Sequence, residues 1–387
     1  MATSNWRVAI RRDPDEVTRL VGVDRADLER SPFQRAQWLE TWFGAYGRQG
    51  SGEIFAASIE DATTGEPVFV LPLMVESRGG IVRISAWDGG VSDYNGPVLS
   101  KNFAPGNADM RRLWDELVHA LPAADLLALE KVPSAIGAID NPLLAVDGVS
   151  LSRFTRHALP LPDDGDFEAL RAKRFDPTHR RTLAKKRRKL QNKGRLEFAI
   201  VSAEAAAEPL DRILAWRSER FSTPSRAEEM RRCEDFYRSL CRETEIARVG
   251  RLTLDGRLIA GCFGTLTGAT FQLLAVAHDA EFKNWSPGLL AIESSIALMC
   301  AQGVTVYDFT IGDEPYKLDF GVEIEKLYRL ETGLTRKGRL YLFLRDRARW
   351  LKRLLGGRAP AGAAGSVVAD AGRETSREES GRRANEA

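Results

Sequence analysis

The sequence predicts an α/β protein with mixed (α+β) sheet: two similar domains, a basic linker between them and a disordered C-terminal tail. Three observations predict it. The order helix, three-stranded meander, helix, strand occurs twice along 387 residues. A dense run of basic residues separates the two occurrences. After residue 356 the chain is Ala/Gly/Ser/Arg-rich and all periodicity stops.

The first occurrence opens with a helix over 31–47, "SPFQRAQWLETWFGAYG". Ser-Pro starts it, and Phe33, Trp38, Trp42 and Phe43 recur at helical spacing. Strand-like runs at 53–60, 67–75 and 81–87 follow, parted by "DATTG" and "SRGG", which read as hairpin connections. A helix over 108–120 and an apolar strand over 125–132 complete the set. The second occurrence has helices at 205–221 and 227–243, strands at 246–254, 258–266 and 271–277, a helix at 287–301 and a strand at 304–310. No residue-level repeat accompanies this order. The expected limits are 1–160, 161–200 for the basic linker or helix, 201–345, and 356–387 for the tail.

Apolar content of 43% and charged content of 28% fit a globular chain with an adequate core, and a net charge of +2 points to no polyanionic partner. Cys233, Cys241, Cys262 and Cys300 lack CxxC spacing and read as reduced thiols. The start "MATSNWRVAIRRDPDEV" has no apolar h-region, and no long apolar run follows, so the expectation is a cytoplasmic protein without a membrane span.

Within 171–195, twelve Lys and Arg residues face a single acid, Asp176. Such a segment suits a solvated helix face, a helix packed on an acidic patch, or a site for a phosphorylated ligand or nucleic acid. Only Phe175 interleaves, so no stacking surface for single strands is expected, and nucleic acid is not the expected partner.

The sharpest local signal is "FKNWSPGLLAIESSIALMCAQG" (282–303). Ser286 suits an N-cap, Pro287 a first turn, and Leu289, Ile292, Ile296 and Met299 form one stripe before Gly303. A strand on either side makes this a crossover whose helix N-terminus can hold a phosphate, with Gly288 letting a ligand approach the backbone. A well-capped helix without a ligand is the other reading. The chain has no GxGxxG after a strand, no GxxxxGK[ST] and no GxSxG, and His119, His157, His179 and His278 make no metal spacing. His278, at the end of the preceding strand, is a candidate proton acceptor or a surface loop residue.

In "VYDFTIGDEPYKLDFG" (306–321), alternation puts Asp308 with Val304, Val306 and Thr310 on one face of a strand. An acid there needs a bond to nearby backbone or to Lys317, or a chemical task. Asp313, Glu314, Tyr316 and Lys317, around Gly312 and Pro315, read as a charged turn or as the wall of a ligand cleft.

"SDYNGPV" (92–98), "NWSPGLLAIESSI" (284–296), "YDFTIGDEPYKLDFG" (307–321) and the basic "RRTLAKKRRKL" together resemble the CelD/BcsL-type members of the GNAT acyltransferase superfamily. Those proteins carry a BioF2-like acetyltransferase domain and are related to the Fem-type aminoacyltransferases. The resemblance covers about residues 30–345. It implies tandem GNAT-like domains, the first of them degenerate, and acetyl-CoA or another acyl-CoA as co-substrate, with no metal. It also implies N- or O-acetyl transfer to a sugar, a polysaccharide precursor or another small polar acceptor, with cellulose or exopolysaccharide synthesis machinery as a partner.

By the same resemblance, Asn284, Trp285, Ser286, Pro287, Gly288 and Leu289 form the pyrophosphate turn. The backbone of Leu274–Val276 pairs with pantetheine, with an N–H near Val276 as oxyanion donor. Asp308 is the base and Lys317 the group directed at the acceptor, while Asp93, Tyr94, Asp313, Glu314 and Tyr316 contact the acceptor. The usual Arg/Gln–Gly–Gly pattern is absent from 284–289. The first domain has no SPG counterpart, so acyl-CoA is assigned to the second, and the first is read as helping to build the acceptor cleft. A non-catalytic scaffold or regulator of a polysaccharide synthase, and a tRNA-dependent Fem-like aminoacyltransferase, are the alternative readings.

Last, "RLYLFLRDRARWLKRLL" (339–355) places Leu340, Leu344, Leu351 and Leu355 on one helix face and Arg345, Arg349, Lys352 and Arg353 elsewhere. The expectation is that this helix docks on its own domain; an anionic membrane surface is the alternative.

Overall fold

Runs of β-branched and aromatic residues, cut by Gly and Asp turns, give strands that alternate with helices of about equal total length. A computed structural model of the protein describes residues 6–22, 26–47, 52–221, 223 and 226–354. The tail expected over 356–387 and Leu355 lie outside the described residues. Contacts divide the described chain into unit 1, residues 6–154 with 326–354, and unit 2, residues 155–325.

Unit 1 begins with β1 (Trp6–Arg11), α1 (Pro14–Gly22), β2 (Leu28–Glu29) and α2 (Ala36–Trp42). The single helix expected over 31–47 is broken. Arg35 is extended (φ −69°, ψ 147°) between a 3₁₀ turn at Pro32–Gln34 and α2, and a π turn follows at Phe43–Gly47. Aromatic stacking accompanies the π turn: Trp42 lies 5.5 Å from Tyr46 and 5.2 Å from Trp87, both nearly parallel.

The meander then follows as β3 (Glu53–Asp61), β4 (Pro67–Arg78) and β5 (Ile81–Ala86). Asp61 accepts from the N–H groups of Thr63 and Thr64 at the first turn, and Gly79-Gly80, both with positive φ, make the second. β6 (Val98–Ser100), α3 (Asn107–Ala120) and β7 (Leu126–Val132) come next, with β7 parallel to β5. Met110, Leu113, Trp114 and Leu117, spaced for one helix face, seat α3 on a core of Phe55, Phe69, Leu71 and Leu127. The short hairpin β8 (Ala135–Ile136) and β9 (Ile139–Asp140) leads to β10 (Val149–Pro160), whose first half belongs to unit 1 and second half to unit 2.

Unit 2 runs α4 (Phe167–Arg174), α5 (Pro177–Gln191), β11 (Leu196–Val201), α6 (Ala207–Phe221), α7 (Ala227–Glu243), β12 (Ala247–Leu254), β13 (Arg257–Thr267), β14 (Thr270–His278), α8 (Pro287–Ala301), β15 (Val306–Ile311) and α9 (Tyr316–Asp319). Its strands lie in the order β10, β15, β14, β13, β12, β11, antiparallel except for β14 beside β15. Phe271, Ile292, Ile296, Met299, Tyr307 and Phe309 form the core around α8. Tyr307 Oη and Ser295 Oγ, 2.6 Å apart, pin that helix to β15. Leu183 and Leu190 of the basic α5 enter a second cluster with Leu252, Ile259 and Leu290. The segment expected as a linker is therefore packed into unit 2.

The chain then returns to unit 1 as β16 (Glu323–Gly333) and α10 (Arg336–Leu354). β16 pairs antiparallel with β7, Leu330 opposite Leu129. α10 docks on its own unit, as expected, but not through Leu340, Leu344 and Leu351: all three are exposed, and the helix is held by Gly338 against Asp125 and by Arg345 on Glu331. Among the described residues, no helix is long and apolar enough to cross a membrane.

Candidate active site

Parallel strands normally stay paired to their ends, but β14 and β15 do not. Their ladder joins Thr270 to Val306, Phe271 to Tyr307 and Gln272 to Asp308, and then stops. Two local features part them. On β14, Ala275 opposes Phe263 and Leu273 opposes Gly264, so Leu274 is the extra residue of a bulge that bends the strand. On β15, Thr310 has φ +59°, a costly value for a β-branched residue, about 1–3 kcal/mol.

That conformation is held by its surroundings. Asp308 Oδ1 accepts from Thr310 N at 2.8 Å, and Thr310 Oγ1 donates to Leu273 O at 3.3 Å. The outcome is a V-shaped opening. Its floor is Gln272, whose Oε1 accepts from the hydroxyls of Thr265 and Thr267, and one wall is the backbone of Leu274–Val276.

The start of α8 meets the far end of the same wall. Ser286 is left-handed (φ 47°, ψ 51°), not extended as an N-cap residue usually is, and makes no side-chain cap; Lys186 Nζ donates to its Oγ at 2.6 Å. A Cβ on Gly288 would lie 3.5 Å from Val276 Cγ2 and from His278 Nδ1, which places this first turn against the end of β14. Pro287 has no N–H, and the Gly288 N–H falls in the turn where helices lack internal partners. Trp285 packs on Phe282 with Lys193 Nζ 5.1 Å from its ring, Leu289 is half-buried, and Asn284 is exposed.

The basic helix α5 covers α8. Asp176 caps it by accepting from His179 N at 2.8 Å. The buried Glu293 of α8 accepts from Arg171 Nε at 2.8 Å and from Arg187 Nη2 at 2.9 Å. Such a carboxylate is tolerable only when paired on both oxygens. One face of α5 is thus an acid-docked face, while Lys185, Arg188 and Lys189 remain exposed.

Across the opening lies the stretch 306–321. Asp308 is fully buried, and its cationic partner is Arg156 Nε at 2.8 Å, not Lys317. Lys317 is engaged within its own turn. Its Nζ, buried, donates to Ile311 O at 2.7 Å and Gly312 O at 3.1 Å and pairs with Glu314 Oε2 at 2.9 Å. Burial raises the Glu314 carboxyl, with Lys317 opposing. Tyr316 lies against Phe309 and Phe320, and exposed Asp313 accepts from Thr155 Oγ1.

Asp93 and Tyr94 belong to unit 1 and are buried there, Tyr94 edge-on to Phe33 with its carbonyl accepting from Gln34 Nε2 at 2.9 Å. His278 is half-buried beside Gly288; burial lowers its pKa, helped by Arg220 and opposed by Asp279.

Sequence reasoning missed Arg156 and His157. His157 sits where the register of β10 on β15 shifts, and it is 4% exposed. Burial lowers its pKa, as does Lys317, against Asp313 and a hydrogen bond to the Thr310 backbone. Its Nδ1 is buried without a hydrogen-bond partner among the described residues. The signal that could have found both residues is the alternating "VSLSRFTRHALP" of β10.

Residues 177–318 match the Acetyltransf_6 family, an acetyltransferase (GNAT) domain, and that span contains α5, α8 and the whole β14–β15 opening. No curated protein matches the sequence. The crystal structure of FemX aligns over 85% of this chain and 97% of its own at 13% identity, with a TM-score of 0.54. A conserved protein of unknown function from Bacteroides thetaiotaomicron VPI-5482 aligns over 84% and 99% at 14% identity, TM-score 0.52. A tandem GNAT protein from the clavulanic acid biosynthesis pathway aligns over 85% and 99% at 13% identity, TM-score 0.42. With FemX and the Bacteroides protein, the shared property is the fold.

Proposed function

We propose that this protein is an acyl-CoA-dependent acyltransferase that works by direct transfer, with its donor site in the β14–β15 opening of unit 2. The observation that carries the reading is a parallel ladder that ends at Gln272–Asp308 beside the first turn of α8. An exposed strand edge accepts an amide-bearing arm, and a helix start accepts a phosphate. The residues present fit such a donor: the Leu274–Val276 backbone for pantetheine amides, and the Gly288 N–H with Lys186 and Lys193 for pyrophosphate, the Leu289 N–H being taken by Ser286 O at 3.1 Å.

The thioester supplies an activated acyl carbonyl. The Val276 N–H is the donor we assign to its oxygen as charge builds. For the acceptor's proton, neutral His157 suits better than Asp308. Burial keeps its imidazole neutral, and its buried Nδ1 has no hydrogen-bond partner among the described residues, whereas Asp308 is committed to Arg156 and Thr310 N. Asp308 and Lys317 then act by positioning: one holds Thr310 and the parted strands, the other the bend at Gly312. Burial pushes the Cys262 thiol up to about 12, which disfavours a thiolate relay through it.

From the motif resemblance, the acceptor class carried forward is a saccharide or another small polar molecule, with acetyl as the acyl group. A second reading, an aminoacyl donor carried on RNA, is favoured by the exposed Lys185, Arg188 and Lys189. A thermal-shift panel decides between them. Saturating acetyl-CoA or a longer acyl-CoA should stabilise the protein by about 2–4 kcal/mol, and Gly288→Leu should abolish the shift while leaving the unliganded Tm near wild type. One donor per chain is expected by calorimetry. No shift with any thioester overturns the proposal.

A further inference from the structure

α10 carries side chains that its own fold leaves outside. Its beginning is anchored in unit 1. Asp125 accepts from Thr335 Oγ1 at 2.9 Å and from Lys337 Nζ at 3.0 Å, and Lys337 also donates to Gly80 O at 2.6 Å. A Cβ on Gly338 would fall 1.7 Å from the Asp125 carbonyl oxygen, so this turn approaches the backbone as only glycine can. Further along, Arg345 Nη2 donates to Glu331 Oε2 at 2.8 Å.

At about 3.6 residues per turn, Gly338, Leu342 and Arg345 share one side of the helix. Leu340, Phe343, Leu344, Trp350 and Leu351 share the opposite side, and each has 49–57% of its surface exposed. Five large apolar side chains in one outward stripe are unlike the water-facing side of an ordinary surface helix.

We propose that this stripe rests in the surface of an anionic lipid bilayer, with α10 lying in the membrane plane. Charge selects the occupant. α10 holds eight basic residues and one acid, Asp346; by the same spacing Arg336 and Arg347 fall on the side of the stripe and Arg339 beside it, while Arg345 and Arg349 fall on the docked side. Arg347, within the stripe, lays its guanidinium 5.1 Å from the Phe343 ring, so its stem lies along the apolar side while its charge can reach headgroups as a snorkelling arginine does. A second copy would bring like charges against like. Residues 355–387 hold five arginines and five acids, so they offer no net complement. An anionic bilayer offers both apolar depth for the stripe and negative headgroups for its rim. This inference is independent of the chemistry assigned to unit 2.

The test is flotation of the full-length protein with vesicles of equal parts phosphatidylglycerol and phosphatidylcholine, against phosphatidylcholine alone. Binding is expected only to the anionic vesicles and should weaken as salt rises. Leu340→Glu with Phe343→Glu should lower the partition coefficient about tenfold or more without changing Tm, since both side chains are exposed in the native fold. No flotation with anionic vesicles, or equal flotation of the double variant, overturns the proposal. So does a concentration-dependent dimer that the same double variant dissociates, because the stripe then belongs to a second copy.

Discussion

The two units contain the same connection, built to different ends. In unit 1, β5 and β7 are parallel, Arg83 beside Leu126 and Ile84 beside Leu127, with α3 in the crossover. In unit 2, β14 and β15 are parallel with α8 between them. β4 and β5 pair without a register shift, whereas β13 and β14 shift at Leu274. β5 is followed by Trp87, which donates to Leu73 O at 2.7 Å and stacks on Trp42. β14 is followed within a few residues by the start of α8. Both parallel ladders end early, after two pairs in unit 1 and three in unit 2, so the contrast lies in what surrounds that end. Each second strand carries one left-handed residue, Lys131 in β7 and Thr310 in β15; what differs is the bulge at Leu274 and the length of chain before the helix.

Three experiments test that contrast. The largest effect is expected in unit 2: His157→Gln should lower turnover about 10²–10⁴-fold while donor affinity stays near wild type. Wild-type turnover would remove His157 from the chemistry. In unit 1, Trp87→Ala should cost about 3–5 kcal/mol of stability by chemical denaturation yet leave donor affinity of the folded protein unchanged. Lost affinity in the folded fraction would mean that unit 1 also serves the donor.

The smallest effect concerns pH. His157 and His278 both titrate below the ordinary histidine range when folded, chiefly because they are buried. Unfolded histidine takes its proton near pH 6.5, so below about that pH the unfolded chain binds protons that the folded one refuses. Stability should hold above pH 7 and decline toward pH 5. His157→Gln should flatten part of that decline; an unchanged slope would contradict the assignment for His157.

Much of the fold was legible. The limits 287–301 and 227–243 read from periodicity coincide with α8 and α7, because those helices are long and end at clear Gly or polar stops. β10 and β16 were not read. Each pairs with strands distant in sequence, and many of their residues are only half-buried, which blurs the alternation. At the site, the crossover and the crowded 306–321 stretch were visible, but their partners were not. Asp308 accepts from Arg156, 152 positions away, and Ser286 Oγ accepts from Lys186, 100 positions away. Local sequence carries no sign of such long-range donors.

The return of β16 to β7 also orders events in time. Leu129 leaves the ribosome well before Leu330, its partner across the ladder, and all of unit 2 is made in between. Unit 1 is therefore begun first and finished last. Until residue 333 has emerged, the β7 edge lacks the strand that covers it, a long wait for an apolar strand in a nascent chain.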